Sequence, residues 1–156
     1  MNLKELRLSK KITQKKAAEL LNISLRTYQY YESNIEKQKG PYYQYMYQKL
    51  NEYGYIDEEH GILSFDTIKE VCTKILKERD VNFCYLFGSY AKKKAKENSD
   101  VDLLISTDIT GLAYFDLVEE LRENLKKKVD LLNVDQLLKN KELINEIMKD
   151  GIKIYG

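Results

Sequence analysis

Tyr85-Leu-Phe-Gly-Ser-Tyr-Ala-Lys-Lys-Lys-Ala-Lys-Glu-Asn-Ser-Asp-Val-Asp-Leu-Leu-Ile105 is the stretch whose reading decides the fold. The apolar run 83–87 stops at Gly88-Ser89, and Asp100-Val-Asp102 opens a second apolar run at 103–105. The pattern predicts strand, tight turn, short basic helix, loop and strand. Gly88 has no Cβ, so its backbone can approach a ligand closely. Ser89 is expected at a helix N-terminus, where free N–H groups suit a phosphate. In a strand, residues i and i+2 point to one face, so Asp100 and Asp102 project together. Two such carboxylates repel each other unless a cation lies between them, and hard oxygen ligands suit Mg²⁺. A phosphate cradle beside metal-binding carboxylates implies phosphoryl or nucleotidyl transfer.

Gly88-Ser89, ten residues, then Asp100-x-Asp102 resembles the signature of the polymerase-beta-like nucleotidyltransferase superfamily, in the short form of its minimal nucleotidyltransferases. Many members carry glycine where Lys93 stands, a departure that concerns the loop's shape. Within the signature, Lys92-Lys-Lys-Ala-Lys96 is a basic patch that reads equally as a triphosphate contact or as a solvated face.

The chain has 156 residues, enough for one ordinary domain or two small ones, with 43% apolar and 33% charged residues and a net charge of +1. That charge is uneven. Residues 1–40 hold nine Lys/Arg against four Asp/Glu, whereas residues 61–156 hold sixteen against seventeen. A basic front end suggests contact with a polyanion. Cys72 and Cys84 are the only cysteines and form no CxxC or His-paired cluster, which argues against zinc and Cys–His chemistry. Both lie in apolar patterns and read as buried free thiols of a reducing compartment. No signal peptide and no apolar run of membrane length is apparent, so no membrane partner and a cytoplasmic location are expected.

The front end reads as helices. Leu3, Leu6 and Leu8 fit an opening helix ending near residues 10–11. Thr13 can cap a second helix with Ala17, Ala18 and Leu21 inward, and Ser24 a third over residues 25–32. Asn22, in the turn between them, tolerates a left-handed backbone. Two short helices so joined make a helix-turn-helix. Residues 3–33 are similar to the phage-repressor (Xre/Cro) type through Thr13-Gln14, Ala17-Ala18, Leu21, Ile23-Ser24 and Glu32, with Asn22 in place of the usual glycine. That resemblance implies double-stranded DNA as a partner, with the third helix in the major groove. Arg26, Thr27 and Gln29 would then face base edges or phosphates, and Gln14 and Lys15 the backbone.

Pro41 opens a fourth helix, 41–52. Nine of the thirteen tyrosines fall between residues 28 and 55. They read first as packing of this helix on the others, and otherwise as a homodimer seam or a stacking surface. Residues 57–63 look like a polar linker, and His60 in it reads as solvent-facing. Ser64 caps a helix whose inward face is Ile68, Val71, Cys72, Ile75 and Leu76. After the signature, Phe115, Leu117, Val118, Leu121 and Leu125 mark another amphipathic helix, ending in Lys126-Lys-Lys128. Residues 129–134 form a third strand with Asp130 at its beginning, and a helix at 142–149 and a short tail at 152–155 complete the chain.

The expected architecture is an N-terminal all-α helix-turn-helix domain at 1–56, a linker at 57–63, and an α/β (α+β) polymerase-beta-like nucleotidyltransferase domain at 64–156. In that superfamily a third carboxylate comes from the strand that Asp130 opens here. The resemblance thus implies Asp100, Asp102 and Asp130 as catalytic residues holding two Mg²⁺ ions, with Gly88 and Ser89 binding the ATP substrate. No further domain is seen to hold a small acceptor, so a protein docked on the open face of the sheet is expected. Minimal nucleotidyltransferases are commonly antitoxins that add AMP to a tyrosine of a HEPN-type toxin, and a fused repressor-like domain implies control of their own operon. Two other readings remain: a transcription regulator whose second domain only binds nucleotide or toxin, and an aminoglycoside-type small-molecule nucleotidyltransferase.

Overall fold

The computed structural model describes Met1–Gly156, which divide into two units, Met1–Tyr55 and Ile56–Gly156. The first is built from α1 (Leu3–Ser9), α2 (Gln14–Leu20), α3 (Leu25–Ser33) and α4 (Pro41–Glu52), with a 3-10 turn at Ile35–Lys39 before α4. Its helix starts follow from capping chemistry. The side chains of Asn2, Thr13 and Ser24 accept from the backbone N–H of Glu5, Lys16 and Thr27, satisfying donors that each first turn would otherwise leave bare. Asn22 adopts φ +55, the left-handed turn that the sequence predicts. Ala17 and Ala18 are buried with Leu3, Leu6, Leu21, Tyr28, Tyr43, Met46 and Leu50, and their small size lets the helices close. Leu8 stays exposed. Of the tyrosines in this unit only Tyr28 and Tyr43 are core residues, and the Tyr43 hydroxyl accepts from the Leu3 N–H at 2.7 Å.

The second unit contains α5 (Phe65–Leu76), β1 (Val81–Phe87), α6 (Gly88–Ala91), β2 (Val101–Thr107), α7 (Leu112–Leu125), β3 (Val129–Asn133), α8 (Lys141–Asp150) and β4 (Ile152–Tyr155). The sheet order is β3-β2-β1-β4, with β1 antiparallel to both neighbours and β2 parallel to β3. The parallel pair needs a crossover, and α7 supplies it. Alternation divides the strands between two faces. Cys84, Leu86, Leu103, Ile105, Leu131 and Ile154 turn one way and pack against Ile68, Cys72 and Leu76 of α5 and Leu117, Leu121 and Leu125 of α7. Phe87 and Leu104 turn the other way and pack against Ile147 of α8 and Leu137 of a 3-10 turn. Each fully buried leucine contributes about 2–3 kcal/mol by leaving water.

Five expectations change. The run 92–96 is not helical: α6 ends at Ala91, one turn after it starts, and the lysines occupy a turn and loop in which Lys93 is left-handed at φ +58. Phe115 is 69% exposed, because the buried stripe of α7 runs through Leu117, Leu121 and Leu125. The tail at 152–155 is a strand, pairing with β1. The sheet face that carries Asp102 is not open, since α8 covers part of it. Residues 57–63, read as a linker, belong to the second unit, and Leu63 lies in its core. No helix is long and apolar enough to cross a membrane.

Candidate active site

Asp100 stands one residue before β2 and Asp102 is its second residue, pairing across the sheet with Asp130 of β3. Asp102 is two residues before Leu104 and so shares its face, the one α8 approaches. Asp100 and Asp130 are exposed and Asp102 is half-buried. Burial pushes the Asp102 carboxyl up to about 6, and the charges of Asp130, Asp100 and Glu146 push the same way while Lys92 opposes them. The fold therefore gathers negative charge at this end of β2 and β3 without neutralising it.

Gly88 follows Phe87, the β1 partner of Asp102, and turns the chain at φ +70. A Cβ here would run into the Asp102 carboxylate, so the position needs glycine both for its backbone angle and for this approach. Ser89 is half-buried in the first turn of α6, which is too short for a sizeable dipole. What the turn offers a phosphate is backbone N–H groups and a hydroxyl beside the acidic cluster.

Lys92 caps α6 and its Nζ lies 2.8 Å from Glu146 Oε1 on α8. The hydrogen bond that Lys92 donates to Glu146 raises the lysine above its ordinary range, and the charges of Asp150 and Asp102 add to the effect. Neither Glu146 nor this pairing is visible in the signature. Glu146 lies on the inward-leaning side of α8, one residue before Ile147, and only the sheet order brings that helix to the site.

No group of three or more acidic, histidine or cysteine side chains is gathered closely enough to hold a metal ion by itself. The donor set nevertheless suits Mg²⁺. That ion retains waters and takes one or two carboxylates plus substrate phosphate oxygens, and the repulsion around Asp102 is what a cation would relieve. Cys72 and Cys84 are buried free thiols; burial pushes Cys72 up to about 12.

In the first unit, Arg26 and Gln29 are exposed on α3, Thr27 and Gln14 half-buried, and Lys15 exposed on α2. Two of these side chains, Gln14 and Gln29, are held from beneath. Arg7 and Glu32, 10% and 5% exposed, pair through Arg7 Nε at 2.9 Å. Gln14 Nε2 donates to Glu32 Oε1 at 3.0 Å, and Gln29 Nε2 donates to Gln14 Oε1 at 3.1 Å. Burial alone would raise the Glu32 carboxyl, but the bonds from Arg7 and Gln14 outweigh it and hold the group below its ordinary range. Gln14 is thus the bridge that aims Gln29. Thr27 shares its hydroxyl with Ser24 at 2.7 Å within the helix cap. Exposed Tyr30, Tyr42 and Tyr45 and half-buried Tyr31 form a ring ladder, Tyr30–Tyr31–Tyr42–Tyr45, with centroids 5.1–6.3 Å apart.

Residues 70–156 match the family model of polymerase beta nucleotidyltransferases, and residues 3–39 match a helix-turn-helix model. A Methanocaldococcus jannaschii protein provisionally named protein adenylyltransferase MJ0435 is 37% identical over 90 residues, which cover 54% of this chain and 95% of that protein. A second from the same organism, MJ1217, provisionally named likewise, is 40% identical over 76 residues, 45% of this chain and 78% of its own length. Among solved structures, a toxin–antitoxin crystallised with AMP-PNP superposes with a TM-score of 0.49 at 24% identity, covering 56% of this chain and 73% of that one. A tri-AMPylated Shewanella oneidensis HEPN toxin in complex with MNT antitoxin gives 0.45 at 21%, covering 58% and 71%. The nucleotidyltransferase match spans more than half of the chain, and the protein belongs to the polymerase-beta nucleotidyltransferase family, with a helix-turn-helix unit in front.

Proposed function

We propose that the protein transfers AMP from ATP to a hydroxyl of a partner protein, a tyrosine of a HEPN-type toxin, and that its first unit binds operator DNA to regulate the same operon. The observation that carries the reading is the pairing of Asp102 with Asp130 across β2 and β3, with Asp100 beside them and Gly88 against the Asp102 carboxylate. The adenylyl donor and protein acceptor are supported by the names of the relatives, which match the second unit.

In this mechanism Gly88 and Ser89 hold the triphosphate through backbone N–H groups and the serine hydroxyl. Asp100, Asp102 and Asp130 would hold Mg²⁺, which supplies charge neutralisation for the phosphates and the leaving pyrophosphate. Asp130, which is exposed, is also the residue assigned to take the proton of the incoming hydroxyl. The hydroxyl oxygen bonds to the α-phosphorus while the bond to pyrophosphate breaks, so the products are the AMP–protein ester and pyrophosphate. The half-buried Asp102 must be ionised to act, and a cation among the aspartates would offset the burial and the acidic neighbours that raise its carboxyl.

DNA contact is assigned to Arg26 and Gln29, with Gln14 and Thr27 in supporting positions. Such contacts make binding steeply salt-dependent. A homodimer would pair two half-sites. The test is co-expression of the protein with candidate HEPN toxins, followed by intact-mass measurement of the toxin. A gain of one or more AMP masses that is lost with Asp100→Asn/Asp102→Asn supports the reading; an unmodified toxin that is still neutralised contradicts it.

A further inference from the structure

Lys127 is the middle residue of Lys126-Lys127-Lys128, the run that ends an amphipathic helix in the sequence reading. Its neighbours are exposed, but Lys127 is 0% exposed. A lysine is rarely found in that state unless its charge and donors are satisfied. Its Nζ donates to the carbonyl of His60 at 3.1 Å and to that of Glu97. These carbonyls come from separate parts of the second unit, the 56–61 segment and the loop between α6 and β2.

The neighbouring bonds run the same way. The Gly61 N–H donates to the Glu97 carboxylate at 3.3 Å, and Arg122 of α7 donates through Nε to Glu58 at 2.7 Å. The carboxylate of Asp57 accepts from the N–H groups of Glu59 and His60. Lys126 turns the chain out of α7 in a left-handed conformation, which aims Lys127 inward. The next carbonyl, that of Lys128, accepts from the N–H of Val101 at 2.9 Å, and Val101 lies between Asp100 and Asp102. Two residues after Lys128 comes Asp130. Lys127 therefore belongs to the stretch where the backbone leading to Asp130 meets, side by side, the backbone that carries Asp100.

We propose that Lys127 is the positioning residue of the acidic cluster: its ammonium clasps loop 96–100 and segment 56–61 to the lead-in of β3, and so sets where Asp100 stands relative to Asp102 and Asp130. The inference rests on those three aspartates being the transfer site. Segment 56–61 is then a working part of the second unit, held at Glu58, His60 and Gly61. Methionine at 127 would fill the space and leave both carbonyls without their donor, whereas arginine would keep charge and donors.

The experiment compares full-length wild type, Lys127→Met, Lys127→Arg and Glu58→Ala by hydrogen–deuterium exchange and by titration with Mn²⁺ alone. Lys127→Met is expected to speed exchange in peptides covering 96–100 and 56–61, with α5 and β1 unchanged. Its half-saturating Mn²⁺ concentration should rise about ten-fold, as for other residues that orient metal ligands. Lys127→Arg should restore part of both. Glu58→Ala should loosen the two stretches to a smaller degree; loosening of 56–61 alone would remove that segment from the clasp. Exchange at 96–100 as slow as in wild type, or faster in every element alike, would overturn the positioning role. If the wild type bound no Mn²⁺, the assignment of the aspartates would fail instead, and the exchange comparison would still judge the clasp.

Discussion

Replacing Asp102 by Asn should make the second unit more stable while ending its activity. In the folded protein the carboxyl is raised from an ordinary 3.8 to about 6, first by burial and then by Asp130, Asp100 and Glu146. A raised carboxyl means that the folded state holds the proton more tightly, so wild-type stability falls as pH rises from about 4 to about 6 and stays low above that. The full rise corresponds to about 3 kcal/mol. Half of the group faces solvent, which screens the interaction, so about 1–2 kcal/mol is the expected penalty near pH 8. Asparagine keeps the shape and removes the charge, and the gain should appear as a melting temperature about 5–10 °C higher for a unit of this size. Thermal melts with EDTA at about pH 8 and about pH 5 test this, since the advantage should shrink by roughly half at the lower pH, where the wild-type carboxyl is mostly protonated. Mg²⁺ should raise the wild type and not the variant. A variant that melts lower than wild type at both pH values, with or without Mg²⁺, would refute the reasoning.

Other perturbations have equally definite outcomes. Gly88→Ala combines an unfavourable φ with a clash against the Asp102 carboxylate; transfer should drop at least ~100-fold and the second unit should lose about 1–3 kcal/mol, measured by single-turnover kinetics and denaturant melts. Glu32→Ala leaves Arg7 buried without its partner and frees Gln14, so the first unit should lose about 3 kcal/mol, read by thermal melts, while AMP transfer stays at wild-type rate. Because Glu32 lies below its ordinary range, its contribution is present at neutral pH and should fade as pH falls through the acidic range. Arg26→Ala should weaken operator binding; a uniform loss with a salt slope lower by about one assigns a phosphate contact, and relaxed preference at one position assigns a base contact.

How far the sequence reaches can be judged from particular residues. Helix starts were legible because a cap is a local event: Thr13, Ser24 and Ser64 each bond an N–H three residues on, a spacing visible in the chain itself. The strands flanking the signature were legible for a similar reason, as apolar runs broken by Gly88 and opened by Asp100. The lysines 92–96 misled because propensity favours a helix there, while the left-handed Lys93 and the need to return to β2 end it after one turn. The strand at 152–155 was missed because four residues show too little alternation, and its pairing with β1 is a long-range event. Glu146 and Lys127 escaped for one shared reason. Each looks like an ordinary surface charge in sequence, and only tertiary packing brings one to the acidic cluster and buries the other among carbonyls.

The central claim is that the acidic cluster on β2 and β3 moves AMP from ATP to a protein hydroxyl. Its most direct test is incubation of the purified protein with α-labelled ATP, Mg²⁺ and proteins of the source cell, beside the Asp100→Asn/Asp102→Asn variant. One labelled partner band, absent with the variant, is the predicted result. No label on any protein, from a folded protein that still binds its DNA, would contradict the claim and leave a DNA-binding regulator built on a nucleotidyltransferase fold.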